Sequence, residues 1–413
     1  MPQAGTLLVG AAVRTVAVPR GTAMSGYAAR IAGSTGTHDP LTVRALVIDR
    51  IALVAVDCCV LHEDTCAAAR SAAVTGGDVD ELVVHATHTH SGPCIGAGRA
   101  GADDARVRAA VTAAIPQVIA EAAAQRAPCA VWFAEAFGAG VARNRRHPER
   151  RIDPPVQAIG FEHDGRRVAT LVTYACHPVV LDSPNTLISA DFVGPLRDRI
   201  EQTFPGSVCV YATGAAGDVN PGDFSPESSY VPGAAGRGFT DAERIGSILA
   251  DAVLDATDRR IEAQDAAVAT AAVTLDLQPD VDVAADVRAW QDELARGTAR
   301  AALLEEWLRW AEHRPHGAHW DGRVSVIAVG ALRIVCLPCE PFLAASERLR
   351  AAYDGPVLVL GYCDGVAGYL PDEDEYEHGG YEAADAHRYY GMPAPFARGS
   401  LERVIAAAEP LLS

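Results

Sequence analysis

His85-Ala86-Thr87-His88-Thr89-His90-Ser91-Gly92-Pro93 gathers three of the chain's 13 histidines within six residues. The stretch follows the apolar run Leu82-Val83-Val84 and meets a Gly-Pro break, so it reads as a strand ending in a loop. Side chains alternate along an extended segment, which predicts that His88 and His90 point to one side with Thr89 between them. Two imidazoles at one strand end suit a borderline-soft metal such as Zn²⁺; a pair of hydrogen-bonded surface histidines is the alternative.

Outward from this strand, β-rich runs recur at Ala45–Ile48, Ile51–Val56, Ala130–Phe133, Ala158–Phe161, Ala169–Tyr174, Val208–Tyr211, Val324–Val329, Arg333–Cys336 and Val357–Leu360. Ala-rich helical stretches lie between several of them, at Asp104–Arg126, Phe192–Gln202, Asp241–Ala256 and Phe342–Ala352. The alternation predicts an α/β fold: a layered α/β/α domain with a central sheet. Hairpins expected through Asp49-Arg50 and Gly330-Ala331 make that sheet mixed rather than purely parallel.

Two regions depart from the pattern. Asn220–Gly238 is rich in Gly, Pro and Ser and reads as a long ordered loop. Asp282–His313 has helical spacing (Val287, Trp290, Leu294, Leu303, Leu304, Trp307), and residues 282–320 are expected to form a helical insertion near or over the site's mouth. There Trp290, Trp307 and Trp310 would pack its apolar face or line a pocket. His313, His316 and His319 read as a solvated helix end rather than a second metal site. No linker divides the chain, so residues 1–413 are expected to form a single domain.

Composition narrows the function. The formal charge is −18 and all 35 basic residues are Arg, which argues against nucleic acid and anionic membrane surfaces as partners. No basic residue precedes Arg14 and no stretch reads as a membrane span or secretory signal. The ten cysteines include one C-x-x-C (Cys336, Cys339) without a zinc-ribbon partner, and read as reduced, buried thiols of a cytoplasmic protein. A homo-oligomer is compatible with the same composition.

Polar residues stand at several other strand ends: His177-Pro178 after Tyr174, Gly217-Asp218-Val219-Asn220-Pro221, Glu340-Pro341-Phe342, and Gly361 to Pro371 with Tyr362 and Tyr369. Ligands in open α/β sheets bind beyond the carboxyl ends of strands, so these segments point to one shared site.

With Met24-Ser25-Gly26-Tyr27, His38-Asp39-Pro40-Leu41, Asn144-Arg145 and Asp191 added in order, the chain from Val9 to about Tyr381 resembles the catalytic domain of the neutral/alkaline (non-lysosomal) ceramidases and related stand-alone bacterial proteins. The resemblance implies a zinc-dependent amidohydrolase. It implies His88, His177, Glu340 and Tyr369 as Zn²⁺ ligands, and His90 and Arg145, with Tyr369, as catalytic residues facing the substrate carbonyl. A water held by such a metal has its pKa lowered towards ~7. His90 and Arg145 would stabilise the developing oxyanion. Asp218 and Asn220 are the candidate substrate-binding pair.

Alternatives stay open for several of these. Glu340 could cap the helix near Phe342, Tyr362 and Tyr376 rival Tyr369, and Arg143 and Arg146 rival Arg145. Asp218 could form an Asx turn, and Asp57 and Asp191 could orient metal-bound imidazoles or hold structure. Asn220 stands where the ceramidases carry a Ser, and Asn is neither nucleophile nor base. That difference, with no C-terminal immunoglobulin-like domain before Ser413 and no secretion signal, leads us to expect hydrolysis of the C–N bond of a small N-acyl amide rather than ceramide. A zinc ester or lactone hydrolase or an acyl transferase is the alternative, and a non-catalytic binding protein keeping the fold is another of a different class.

Overall fold

Runs of Val, Ile and Ala bounded by turn residues become the strands of two sheets in the computed structural model, which describes residues 7–222, 236–278 and 283–413. The larger sheet has nine strands. Across it lie Val208–Thr213, Arg166–Tyr174, Val156–His163, Ala127–Ala136, Leu7–Val16, Leu41–Ile48, Ile51–Val56 and Glu81–Ala86, with Arg259–Ile261 paired on Ala127–Ala136. Ile51–Val56 pairs in parallel with Glu81–Ala86, and Arg166–Tyr174 with Val208–Thr213; the remaining pairs are antiparallel, so the sheet is mixed. Both expected hairpins are present, turning at Asp49 (φ 52°) and Gly330 (φ 56°).

Alternation sorts each strand's two faces. Val43, Ala45 and Val47 face the helices Glu63–Gly76 and Ala105–Ala124, whereas Leu46 and Ile48 face inward. The inward face meets a second, four-stranded sheet: Ala266–Asp276, His319–Val329, Leu332–Cys336 and Val357–Leu360. Leu53, Phe161 and Leu171 share one core there with Ile327, Ile334 and Leu358. Helices Val193–Thr203 and Phe239–Leu254 cover the other half of the large sheet, and Leu343–Ala351 and Ser400–Ala408 the outside of the small one. The α/β class and mixed pairing are as expected; the layering is helix–sheet–sheet–helix, because the strands divide between two sheets.

The large sheet curls until its edge strands touch. The Thr213 amide donates to His85 Nε2 at 3.0 Å and the Thr213 hydroxyl to the Thr87 carbonyl at 2.6 Å. At the same end the small sheet joins it, through Ala86 N–H to the Tyr362 carbonyl and Gly361 N–H to the Thr213 carbonyl. Loops from far-separated strands are thus gathered at one rim.

Among the described residues one helix, Ala105–Ala124, has the length and apolar composition of a membrane span. Its Val107, Val111, Ile115, Val118 and Ile119 are buried against the large sheet, as in a core helix. The region expected to be a helical insertion is a hairpin of two helices, Val283–Arg296 and Ala301–Glu312, which bury Trp290, Leu303, Leu304, Trp307 and Trp310 together. His313, His316 and His319 are exposed beyond it. All ten cysteines are buried and free. Most of the Asn220–Gly238 loop lies outside the described residues.

Candidate metal centre and cavity

The rim where the two sheets join carries the histidines. His88 lies two residues past Glu81–Ala86, His177 three past Arg166–Tyr174, and Glu340 four past Leu332–Cys336. His88 Nε2 lies 3.1 Å from Glu340 Oε2 and His177 Nε2 lies 3.0 Å from the same oxygen; all three side chains are fully buried. His88 Nδ1 faces the Cys59 carbonyl at 2.7 Å, and His177 Nδ1 faces the Val219 carbonyl at 3.0 Å. A ring nitrogen beside a carbonyl carries the proton, so the lone pairs sit on the two Nε2 atoms. Two imidazole nitrogens and a carboxylate oxygen therefore converge on one point, where a proton or a cation must lie between them. That is the donor set of a divalent cation with N/O preference, and the residues fit such an ion.

Without an ion the site holds a proton instead. Burial opposes charge on Glu340, yet His88 and His177 hold its carboxyl well below the usual range. Burial opposes charge on His88 too, yet Glu340 draws it up to about 10, so an incoming cation would displace that proton. At His90, burial and then the neighbouring His88 and His177 push the imidazole well below its ordinary value, so it is neutral.

His88 and His90 do meet, with their Nε2 atoms 3.3 Å apart, but not by strand alternation. The strand stops at Ala86 and His88 takes a left-handed backbone (φ 64°). Cys339 (φ 63°) and Tyr362 (φ 57°) do likewise in the facing loops. A non-glycine residue held there costs on the order of 1–3 kcal/mol and persists only where its surroundings impose it.

Short two-stranded ladders set the remaining candidates. Glu340–Pro341 pairs in parallel with Tyr369–Leu370, which seats Tyr369 beside Glu340. Val219–Pro221 pairs with Ala142–Asn144, placing Asn220 opposite Arg143. Arg145 is partly buried; its guanidinium sits 5.2 Å from the Tyr369 ring centre, pairs with Glu382 at 2.7 Å, and donates weakly to Asn220 Oδ1 at 3.5 Å. Arg146 pairs with Glu375 and Glu382 instead, so these two are not a solvated basic patch, whereas Arg143 is exposed. Asn220 is fully buried and its Nδ2 has no partner.

Other residues take structural posts. Asp218 accepts the Leu343 amide at 2.8 Å and the Asn144 Nδ2 at 2.8 Å, thereby capping the helix that Glu340 was weighed for. Asp191 accepts the amides of Val180, Leu181 and Phe192, fixing the loop after His177. Asp57 binds Arg197 at 2.8 and 3.0 Å. Neither aspartate touches an imidazole among the hydrogen bonds of the described residues. Tyr376 donates to Phe396 and Ala397 carbonyls, away from the donors.

Sequence reasoning missed Tyr390 and the Cys59 thiol, and weighed Tyr362 only as a rival ligand. The Tyr390 hydroxyl donates to Glu340 Oε1, Tyr362 stacks on the His88 ring at 4.2 Å, and Cys59 Sγ lies 3.7 Å from His88 Nδ1. Tyr390 sits in an irregular segment with no flanking periodicity, so nothing local marked it. Above the donors opens a cavity of about 440 Å³, lined by His90, Arg145, Tyr369, Tyr381 and Tyr390 among others.

No family model matches the sequence, and no curated protein matches it. Solved structures do. The crystal structure of neutral ceramidase from Pseudomonas aeruginosa is similar with a TM-score of 0.71 at 16% identity, over 98% of this chain and 74% of that one. A ceramidase complexed with C2 is similar with a TM-score of 0.70 at 17% identity, over 98% and 75%. Motifs and three-dimensional likeness agree: this chain has the fold of the neutral ceramidases.

Proposed function

We propose that the protein is a zinc-dependent hydrolase that cleaves the C–N amide bond of a small N-acyl substrate. The observation that carries this is the convergence of His88 Nε2, His177 Nε2 and Glu340 Oε2, all within 4.8 Å of one another, beneath a cavity. In this reading Tyr369 completes the ligand set. A bound zinc ion supplies Lewis acidity, polarising a carbonyl and lowering the pKa of water towards ~7.

The chain's own residues do the rest. Arg145, braced by Glu382 and the Tyr369 ring, donates to the substrate oxygen as negative charge develops there. The free Nδ2 of Asn220 is a second donor for the substrate amide. Neutral His90 accepts a proton from the attacking water and returns it to the departing nitrogen. Having no hydroxyl, Asn220 offers no covalent route at its position. Together with the modest cavity, this favours a small amide over ceramide.

The test is metal analysis with a substrate panel. We expect about one zinc per chain, lost in His88→Ala and Glu340→Ala, and chelator-sensitive hydrolysis of N-acyl amino acids or amines. Preference for lactones or esters would move the assignment to the alternative bond. A native protein without transition metal and inert on the whole panel would make it a binding protein instead.

A further inference from the structure

The cavity above the metal-type donors has an apolar wall. Leu303 and Trp307 lie one helical turn apart on Ala301–Glu312, present one face together, and line the cavity with Tyr27, Val179 and Tyr389, beside the polar Arg300 and Asp385. This wall is braced. The Arg388 guanidinium lies 4.8 Å from the Trp290 ring, 4.7 Å from Trp307 and 5.9 Å from Trp310, and pairs with Asp286 on the hairpin and Asp385 at the cavity edge. Trp310 Nε1 donates to the Met392 carbonyl at 2.9 Å. Cation–π contacts of this kind strengthen when desolvated, so the hairpin is held and not merely laid on.

The wall is also close to the chemistry. Tyr27 meets the His90 ring edge-on at 5.0 Å, while its neighbour Ala28 packs against the tryptophan cluster. Consecutive residues thus contact His90 and the hairpin, and His90, Leu303 and Trp307 border the same cavity.

We infer that the hairpin is a specificity wall: the substrate's acyl group is a compact apolar one, a short alkanoyl or arylacetyl, whose length is limited by Leu303 and Trp307. This deepens the hydrolase reading and rests on it for the identity of the occupant. A long aliphatic chain would have to displace a braced helix or turn out of the cavity.

Direct binding tests it. Straight-chain carboxylates from acetate to dodecanoate, which are the acyl products, and phenylacetate are titrated calorimetrically into the zinc-loaded protein. Affinity should rise roughly fourfold per methylene while each is buried, pass through a maximum at short chain length, and then fall. Leu303→Ala and the conservative Trp307→Leu should move that maximum to longer chains with zinc content unchanged. An unchanged maximum in both folded variants, or steady improvement to dodecanoate in the wild type, overturns the wall. A maximum that moves while no amide is ever cleaved keeps the wall and rejects the hydrolase. Amide cleavage with an unmoved maximum does the reverse.

Discussion

In the proposed reading His90 stands next to the donor set without belonging to it, although Cys59, His88 and His90 also lie close enough together to hold an ion. His88 and His177 each spend Nδ1 on a backbone carbonyl and turn Nε2 to Glu340, whereas His90 leaves Nδ1 without a partner and borders the cavity. A fixed tautomer is what a ligand needs, and a free ring nitrogen is what a proton carrier needs. His90→Ala should therefore lower turnover by roughly 10²–10⁴-fold with zinc still bound, the usual worth of general acid–base help. Zinc loss in that variant would show that the two histidines have been assigned the wrong way round. Residue types read well from sequence here because imidazoles and carboxylates advertise their chemistry. Backbone state did not: nothing in Thr87-His88-Thr89 signals the left-handed turn that ends the alternation, since it is imposed by the facing loops.

Elements position those residues through buried ion pairs. Asp57 follows the strand Ile51–Val56 and accepts from Thr42, Thr87 and Arg197; Arg197 belongs to the helix Val193–Thr203 beyond the opposite edge strand. The pair therefore staples a helix to the strand ends that launch His88. Both side chains are nearly inaccessible, at 3% and 2% exposure, so removing one partner strands a buried charge. Arg197→Met should cost about 3–5 kcal/mol in denaturant unfolding, and Asp57→Asn added to it should recover part of that. A loss below 1 kcal/mol would show that water reaches the pair.

Strands such as Ala45–Ile48 and Val357–Leu360 were legible because Val, Ile and Leu contrast with their flanks. Ala266–Asp276 and the helix Glu63–Gly76 were not, since alanine barely distinguishes an inner from an outer face; the helix Ser400–Ala408 was passed over although Leu401, Val404 and Ile405 carry helical spacing. Two sheets rather than one was likewise hidden: periodicity marks a strand, not the partner it will choose.

Across the whole molecule, burial raises several carboxyls of the described residues, Asp364 among them, and two of them furthest. Burial pushes Asp191 up to about 6 against the amides of Leu181, Phe192 and Val180, and pushes Asp218 up to about 6 against that of Leu343. In the unfolded chain both return to an ordinary value near 3.8. Between those values the folded state binds more protons than the unfolded one, so stability from these groups falls as pH rises. Their contribution is complete below about 4 and gone above about 6, on the order of 3 kcal/mol per group. Glu340 works in the opposite sense, its carboxyl being depressed, and with other depressed carboxylates such as Asp57 and Glu382 favours unfolding in acid. A comparison with Asp191→Asn and Asp218→Asn isolates the two carboxyls, because Glu340 and any bound metal are common to both proteins. The wild type's melting temperature, relative to either variant, should decline steadily from pH 4 to pH 6 and then level off. Parallel curves across that window would mean that both carboxylates stay ionised when buried, held by their amide donors alone.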